Sequence, residues 1–208
     1  MQSEGGHFVP NIAVVYYSST GNTHQLAAAV ADGAREAGAE VRLRRVPELA
    51  PQEAIDSNPL WRAHVDATAG EVEEATPADM EWADGYALGT PTRFGTPAAQ
   101  MKQFIDTLGG LWFTGKLANK GATAFTSAQN LHGGNESTIL TMFNVFSHFG
   151  AVIVPPGYTD PLLFEAGGNP YGVSNASGGK SATASEAELA AARYQGRRLA
   201  EVTGKLVA

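Results

Sequence analysis

The sequence predicts an α/β fold, a doubly wound parallel sheet of five strands with helices on both faces. Three observations carry that prediction. Apolar runs without polar interruption, such as Ile12-Ala13-Val14-Val15-Tyr16-Tyr17, suit strands buried on both sides. These runs alternate with segments of helical spacing, the βαβ order of a parallel sheet. A length of 208 residues suits one well-buried domain and is short for two. The domain is expected over 11–207, after an N-terminal extension at 1–10.

The elements follow in order. After the first strand, Leu26, Ala27, Val30, Ala31 and Ala34 recur as one face of a helix, which Gly38 stops after Ala37. Glu40–Val46 is the second strand, with Val41 and Leu43 facing one way. Residues 47–79 hold four prolines and show little periodicity beyond a short helix near Gln52–Ile55, so they are expected as a functional insertion. Gly85–Gly89 is the third strand, Pro97–Leu108 a helix opened by proline, and Gly121–Ser127 the fourth strand. Glu136–Phe149 is a helix and Ala151–Val154 a short buried strand. Residues 155–184, rich in Gly, Pro, Ser and Asn, form a second long insertion. Ser185-Glu186-Ala187-Glu188 is a capping box that starts a last helix reaching about Leu206.

Composition removes several function classes. A net charge of −7 and a pI near 5.2, with scattered basic residues, argue against a nucleic-acid surface. No apolar run approaches the ~20 residues that span a bilayer, and MQSEGGHFVP lacks the pattern of a signal peptide, so a cytoplasmic location is expected. With no cysteine, thiolate nucleophiles, disulfides and Cys-ligated metals are excluded, and no metal site is expected. Redox chemistry would have to belong to a bound cofactor.

Between the first strand and its helix lies Ser18-Ser19-Thr20-Gly21-Asn22-Thr23. In a parallel sheet this loop opens at the ligand-binding end and leads into a helix N-terminus that favours an anion. A Walker loop needs a lysine after its last glycine, but Gly21 is followed by Asn22-Thr23-His24. A dinucleotide loop needs three spaced glycines, and only Gly21 is present. What remains are hydroxyls at Ser18, Thr20 and Thr23 which, with backbone N–H groups, can surround one terminal phosphate such as that of FMN. A Ser/Thr-rich turn that only caps the helix is the plainer alternative.

Gly89-Thr90-Pro91-Thr92-Arg93-Phe94-Gly95-Thr96 follows the third strand and opens at the same end of the sheet. In a flavodoxin-like strand order it faces the first loop across the crevice, where an isoalloxazine ring would lie. Backbone groups near Pro91 and Gly95 can meet the ring's polar edge, while Arg93 or Phe94 covers part of its surface; a tight turn is the other reading. A third loop, Ser127-Ala128-Gln129-Asn130-Leu131-His132-Gly133-Gly134, can meet the pyrimidine side. His132, His148 and Trp112 carry no signal alone, since each equally suits a surface or core position.

With these blocks assembled, the sequence resembles the WrbA-type NAD(P)H:quinone oxidoreductases of the flavodoxin-like family. The resemblance rests on YYSSTGNT at 16–23, RRVPE at 44–48, GTPTRFG at 89–95, GGLW at 109–112, HFGAVIVPPGY at 148–158, NPYG at 169–172 and ARYQG at 192–196. It implies an FMN enzyme, usually a homotetramer, that passes two electrons from NADH or NADPH to a quinone. By similarity, Ser18 to Thr23 hold the FMN phosphate, Pro91 to Gly95 the flavin ring, and Ser127, Ala128, Gln129, Asn130 and Gly133 continue that site. The resemblance also brings His148 to the flavin and substrate pocket as a catalytic and cofactor-binding residue. Trp112, also implied as catalytic, joins it with Phe94 and Tyr158 at the substrate site. Thr20 stands where better-known members carry an aromatic residue implicated in nicotinamide contact, and the segment 128–132 is one residue longer than its Thr- and Gly-rich counterpart.

The mechanism implied is ping-pong hydride transfer through flavin N5, with nicotinamide and quinone sharing one slot between the 92–94 loop, Trp112 and His148. His148 would supply a proton to the developing hydroquinone. Two other readings share the fold: a flavodoxin-type one-electron carrier, and a non-enzymatic flavin-binding regulatory protein.

Overall fold

The computed structural model describes residues 9–180 and 183–208, so most of the expected N-terminal extension lies outside the described residues. The central sheet is built from β1 (Asn11–Tyr16), β2 (Glu40–Arg45), β3 (Gly85–Arg93), β5 (Gly121–Ala128) and β6 (Val152–Ile153). Their order is β2-β1-β3-β5-β6 and all pairs are parallel. The doubly wound five-stranded expectation is met, with two additions among the described residues: β4 (Thr96–Pro97) pairs antiparallel with β3, and β7 (Ser174–Ala176) pairs parallel with the end of β5.

The period of two along β1 explains the two-sided core. Ile12, Val14 and Tyr16 face one layer, with Leu26, Val30, Phe125 and Leu199; Ala13, Val15 and Tyr17 face the other, with Met101, Phe104, Ile139, Met142 and Phe146. The first layer is covered by α1 (Asn22–Glu36) and α9 (Glu186–Val207), the second by α5 (Ala99–Thr107) and α7 (Asn135–Phe149). The expected capping box closes α9: Ser185 Oγ accepts from Glu188 N at 3.2 Å, and Glu188 Oε2 accepts from Ser185 N at 2.7 Å.

The expectation of a nearly structureless 47–79 is corrected. Besides α2 (Gln52–Asp56), this stretch forms α3 (Pro59–Thr68) and the start of α4 (Pro77–Trp82). Both begin on a polar cap followed by proline: Asn58 Oδ1 accepts from Leu60 N and Trp61 N, and Thr76 forms a capping box with Asp79. Much of their anchoring is polar. Arg42 and Arg44 of β2 converge on Asp79 at 3.3 and 3.1 Å, with Arg42 lying over the Trp82 ring. The helix expected from Pro97 begins at Ala99, since Pro97 is held in the β3–β4 hairpin. α6 (Gly109–Phe113) and α8 (Leu162–Glu165) are short turns not expected from sequence.

One close approach fixes α1. A Cβ at Gly33 would meet the carbonyl of Arg193, and one at Gly196 the carbonyl of Val30, so α1 and α9 cross with their backbones in contact. Gly196→Ala should therefore destabilise the fold by ~1–3 kcal/mol. Urea unfolding would read this as a lower midpoint at unchanged slope, and an unchanged midpoint would show that the crossing relaxes freely.

Candidate functional site: a phosphate and flavin cleft

At the carboxyl ends of β1, β3 and β5 lies a cleft of about 600 Å³, lined by the expected Ser18, Ser19, Thr20, Asn22, Thr23, Pro91, Thr92, Arg93, Phe94, Ser127, Ala128, Gln129, Asn130 and Gly133. It sits where the strand order reverses, between β1 and β3. Gly21 and Gly95, also expected there, are not among its lining residues.

The anion end is α1. Its N-cap is Gly21 at φ 97°, its first turn has no acidic residue, and no side chain caps it. The free N–H groups and the positive end of a 15-residue helix are thus presented to the cleft. The hydroxyl loop is preset around them: Gly21 N donates to Ser18 Oγ at 3.0 Å, and Thr23 and Ser127 hydroxyls share a 2.8 Å hydrogen bond. Asn22 is spent elsewhere, donating to Lys180 O at 2.9 Å and accepting from Thr183 N at 3.0 Å, so it ties Lys180 and Thr183 to the phosphate loop. This uncapped cradle fits a terminal monophosphate.

The ring end is a hairpin tip. Arg93 pairs with Thr96 across Phe94 and Gly95, whose φ values of 52° and 78° are those of a two-residue primed turn. Phe94 is fully exposed at the tip, a left-handed conformation unfavourable to a bulky side chain. The hairpin is fastened below by Thr138 Oγ1 to Thr92 Oγ1 at 2.6 Å and Ser137 Oγ to Gly95 O at 3.0 Å. Arg93 reaches back to Ser19 Oγ at 3.2 Å and so supplies a positive charge beside the phosphate loop, which the sequence reading left without one.

Five lining residues were missed: Asn58 and Leu60 from α3, and Ser177, Gly179 and Lys180 from the second insertion. The Asn-Pro pair at 58–59 is the one sequence signal for the former, as a helix start. Nothing local marks the turn at 177–180, which follows β7, itself paired with β5.

Trp112 and His148 do not join this cleft within one chain. They line a separate cavity of about 420 Å³ with Lys102, Ile105, Asp106, Thr141, Val145 and others. The reason is helix direction: α7 starts beside Thr92, through Thr138, and His148 lies ten residues further on, a rise of about 15 Å. Trp112 Nε1 donates to His148 O at 2.9 Å, which ties the two together. The single slot expected between the 92–94 loop, Trp112 and His148 is therefore not formed by one protomer. Tyr158 is also outside the cleft, stacked on Phe164 at 5.0 Å between centroids.

A titratable cluster lies under the phosphate loop. Tyr16 OH and His24 Nδ1 are 2.5 Å apart, and the His24 and His64 rings are 5.5 Å apart between centroids. Burial pushes the Tyr16 hydroxyl up to about 12, with Arg45 opposing. Burial holds His24 below its ordinary value, and holds His64 down at about 4 with further repulsion from His24 and Arg45. A second cluster centres on Glu48. Burial favours its neutral form, but hydrogen bonds from Ala50 N, Gln100, Tyr17 and Trp61 outweigh that and lower its pKa.

Residues 10–160 match the family described as NADPH-dependent FMN reductase. The chain belongs to that family. Within it, the chain is 50% identical to an NAD(P)H dehydrogenase (quinone) of Deinococcus radiodurans over 196 residues, covering 94% of this chain and 96% of that one. It is 46% identical to one of Methylocella silvestris over 200 residues, covering 94% and 98%. Among solved structures it is similar to a WrbA-like flavodoxin from Agrobacterium tumefaciens, with TM-score 0.64, 25% identity and coverage of 94% and 98%. An archaeal flavodoxin, at 17% identity and TM-score 0.59 over 93% and 98%, shares the fold. The WrbA-type resemblance is borne out, and FMN reductase family, flavodoxin-like fold and uncapped cradle agree on FMN as the cofactor.

Two outcomes follow. Phe94→Asn should leave the fold as stable or up to about 1 kcal/mol more so, because asparagine tolerates the left-handed turn and the exposed ring packs on nothing. Thermal unfolding with and without FMN measures it, and a clear loss of stability would show that the ring is a structural contact. Because His24 and His64 bind fewer protons folded than unfolded, they stabilise the fold above about pH 6.5 and that contribution falls away as pH drops towards about 4. His64→Gln should flatten the fall in urea midpoint across that window, and an unchanged slope would remove His64 from the acid sensitivity.

Proposed function

We propose that the protein is an FMN-dependent NAD(P)H:quinone oxidoreductase that works as a homotetramer in the cytoplasm. The observation that carries the reading is the uncapped N-terminus of α1, set in a hydroxyl-lined loop beside a hairpin that presents a flat aromatic face. Relatives named NAD(P)H dehydrogenase (quinone), matched over nearly their whole length, support the substrates. A cytoplasmic location fits a soluble reductant, and among the described residues no helix is long and apolar enough to cross a membrane.

Bound FMN supplies hydride acceptance and two-electron delivery to a quinone. The chain does the rest. The N–H groups at the start of α1 and the hydroxyls of Ser18, Thr20 and Thr23 hold the phosphate, with Arg93 adding positive charge. Backbone groups of Pro91 to Gly95 and of Ser127 to Gly133 orient the ring. Phe94 covers it and excludes water.

The separation of Trp112 and His148 from the cleft supports oligomerisation. If these residues serve a flavin, it is one in a neighbouring copy, which their cavity would face. Trp112 is half exposed and Phe113 almost fully so at that end of the molecule, as expected of an unpaired interface. From a neighbouring copy, His148 would give a proton to the reduced quinone and Trp112 would pack on the substrate ring. The apolar segments at 59–61 and 161–164 are partly used internally, since Trp61 is hydrogen-bonded to Glu48 and Leu163 is buried.

The decisive experiment combines colour, turnover and mass. The purified protein should bind FMN in preference to FAD, be bleached by NADH or NADPH without air, and recover its yellow colour with one quinone per flavin. Light scattering should give four times the 21.8 kDa chain mass. Accumulation of a one-electron semiquinone with no quinone-dependent NAD(P)H oxidation would instead make it a carrier, and a monomer mass at micromolar concentration would remove the neighbouring-copy role of Trp112 and His148.

A further inference from the structure

The insertion at 47–79 contributes a wall to the cofactor cleft. Asn58 and Leu60, at the start of α3, line the cleft although α3 follows β2, outside the three loops that hold the flavin's polar parts. Those loops follow β1, β3 and β5. Because β2 is the neighbour of β1 on the side away from β3, α3 approaches the cleft from the opposite flank to the Phe94 hairpin, with Ser18–Thr20 between them. The cleft is otherwise lined largely by hydroxyls, amides and the side chains of Arg93 and Lys180. Leu60 and Phe94 are its two large apolar side chains among the described residues, 44% and 105% exposed. Two such groups at the rim of a polar cleft suit a flat apolar ligand.

Leu60 is held with care. Asn58 Oδ1 accepts from Leu60 N at 3.1 Å and Trp61 N at 3.3 Å, fixing the first turn. Successive helical residues point about 100° apart, so with Leu60 at the cleft the next side chain, Trp61, turns away and donates from Nε1 to Glu48 Oε2 at 2.9 Å. The same carboxylate accepts from Tyr17 OH at 2.8 Å and Gln100 Nε2 at 2.7 Å. Tyr17 leads into the phosphate loop and Gln100 sits on α5, just past the Phe94 hairpin. One carboxylate therefore fixes α3 relative to both other walls.

We infer that Leu60 is a specificity-determining residue of the cleft, a substrate-side wall that sets how large a quinone ring system is admitted, and that Glu48 is the positioning residue that holds it there through Trp61. The inference rests on the reading of the cleft as an FMN and quinone site. It assigns α3 to the substrate because the three flavin loops already enclose the cofactor's phosphate and polar edge.

The test uses the oxidised FMN-loaded protein and two probes, 1,4-benzoquinone and 1,4-naphthoquinone, with affinities read by flavin fluorescence quenching so that no turnover is needed. In Leu60→Ala the naphthoquinone-to-benzoquinone affinity ratio should rise about tenfold, with FMN affinity held within about threefold; Leu60→Phe should move the ratio the other way. Trp61→Phe, which keeps the ring and loses the donor, should shift the ratio in the direction of Leu60→Ala. Glu48→Gln, which keeps an acceptor, should shift it less than Glu48→Ala. An unchanged ratio in Leu60→Ala, or FMN affinity falling as far as that of both quinones, would overturn the inference, the latter by making Leu60 a flavin contact. A shifted ratio beside unshifted Trp61 and Glu48 variants would overturn the positioning role. NAD(P)H oxidation by the unaltered protein is measured alongside: its absence while the ratio still shifts would reject the proposed reaction alone, and failure of the unaltered protein to bind either quinone would reject both.

Discussion

The site depends on one helix end left without a cap. α3 and α9 each start on an Asn or Ser side chain that accepts from their first N–H groups, whereas α1 starts on Gly21 and offers those groups to the cleft. Unsatisfied N–H groups cost stability unless water or a ligand takes them. An anion bound there recovers that cost and gains from the helix dipole. The cradle works only if α1 cannot slide, and the backbone contact at Gly33 and Gly196 pins it against α9. Packing far from the ligand thereby sets the position of the ligand's charge.

The remaining walls are tied to that end by a few polar groups rather than by apolar packing. Glu48 joins the phosphate loop, α3 and α5; Asn22 joins the phosphate loop to Lys180 and Thr183; Thr92 and Thr138 join the hairpin to α7. Hydrogen bonds fix direction as well as distance, which suits loops that must stay open to a ligand and so cannot bury much surface. The imidazole pair of His24 and His64 is the exception to this tying. Its two rings tolerate each other only while neutral, which confines the α1–α3 contact to the pH range above their titration.

Helix direction divides the chemistry of the chain. The start of α7 fastens the hairpin of the cleft through Ser137 and Thr138, whereas His148 near its far end lines a different cavity with Trp112 of α6. The division is inherent in a doubly wound sheet, where every helix runs antiparallel to the strand before it.

Much of this was legible in the residues alone. The uninterrupted run at 12–17, the single glycine in the hydroxyl loop and the capping box at 185–188 determined a parallel sheet, a hydroxyl-lined helix start without a side-chain cap and the last helix, because each depends on neighbours within a few positions. What the residues did not disclose depends on contacts across the chain. α3 is held by a carboxylate 13 positions before Trp61; Phe94 is forced into a left-handed turn by pairing of Arg93 with Thr96; the 177–180 turn follows β7, which pairs with β5. Trp112 and His148 were matched to the site by motif, and motifs carry no information on which end of a helix lies where. Local chemistry is written in local sequence, while the walls of a cleft and the reach of a side chain are properties of the packed sheet.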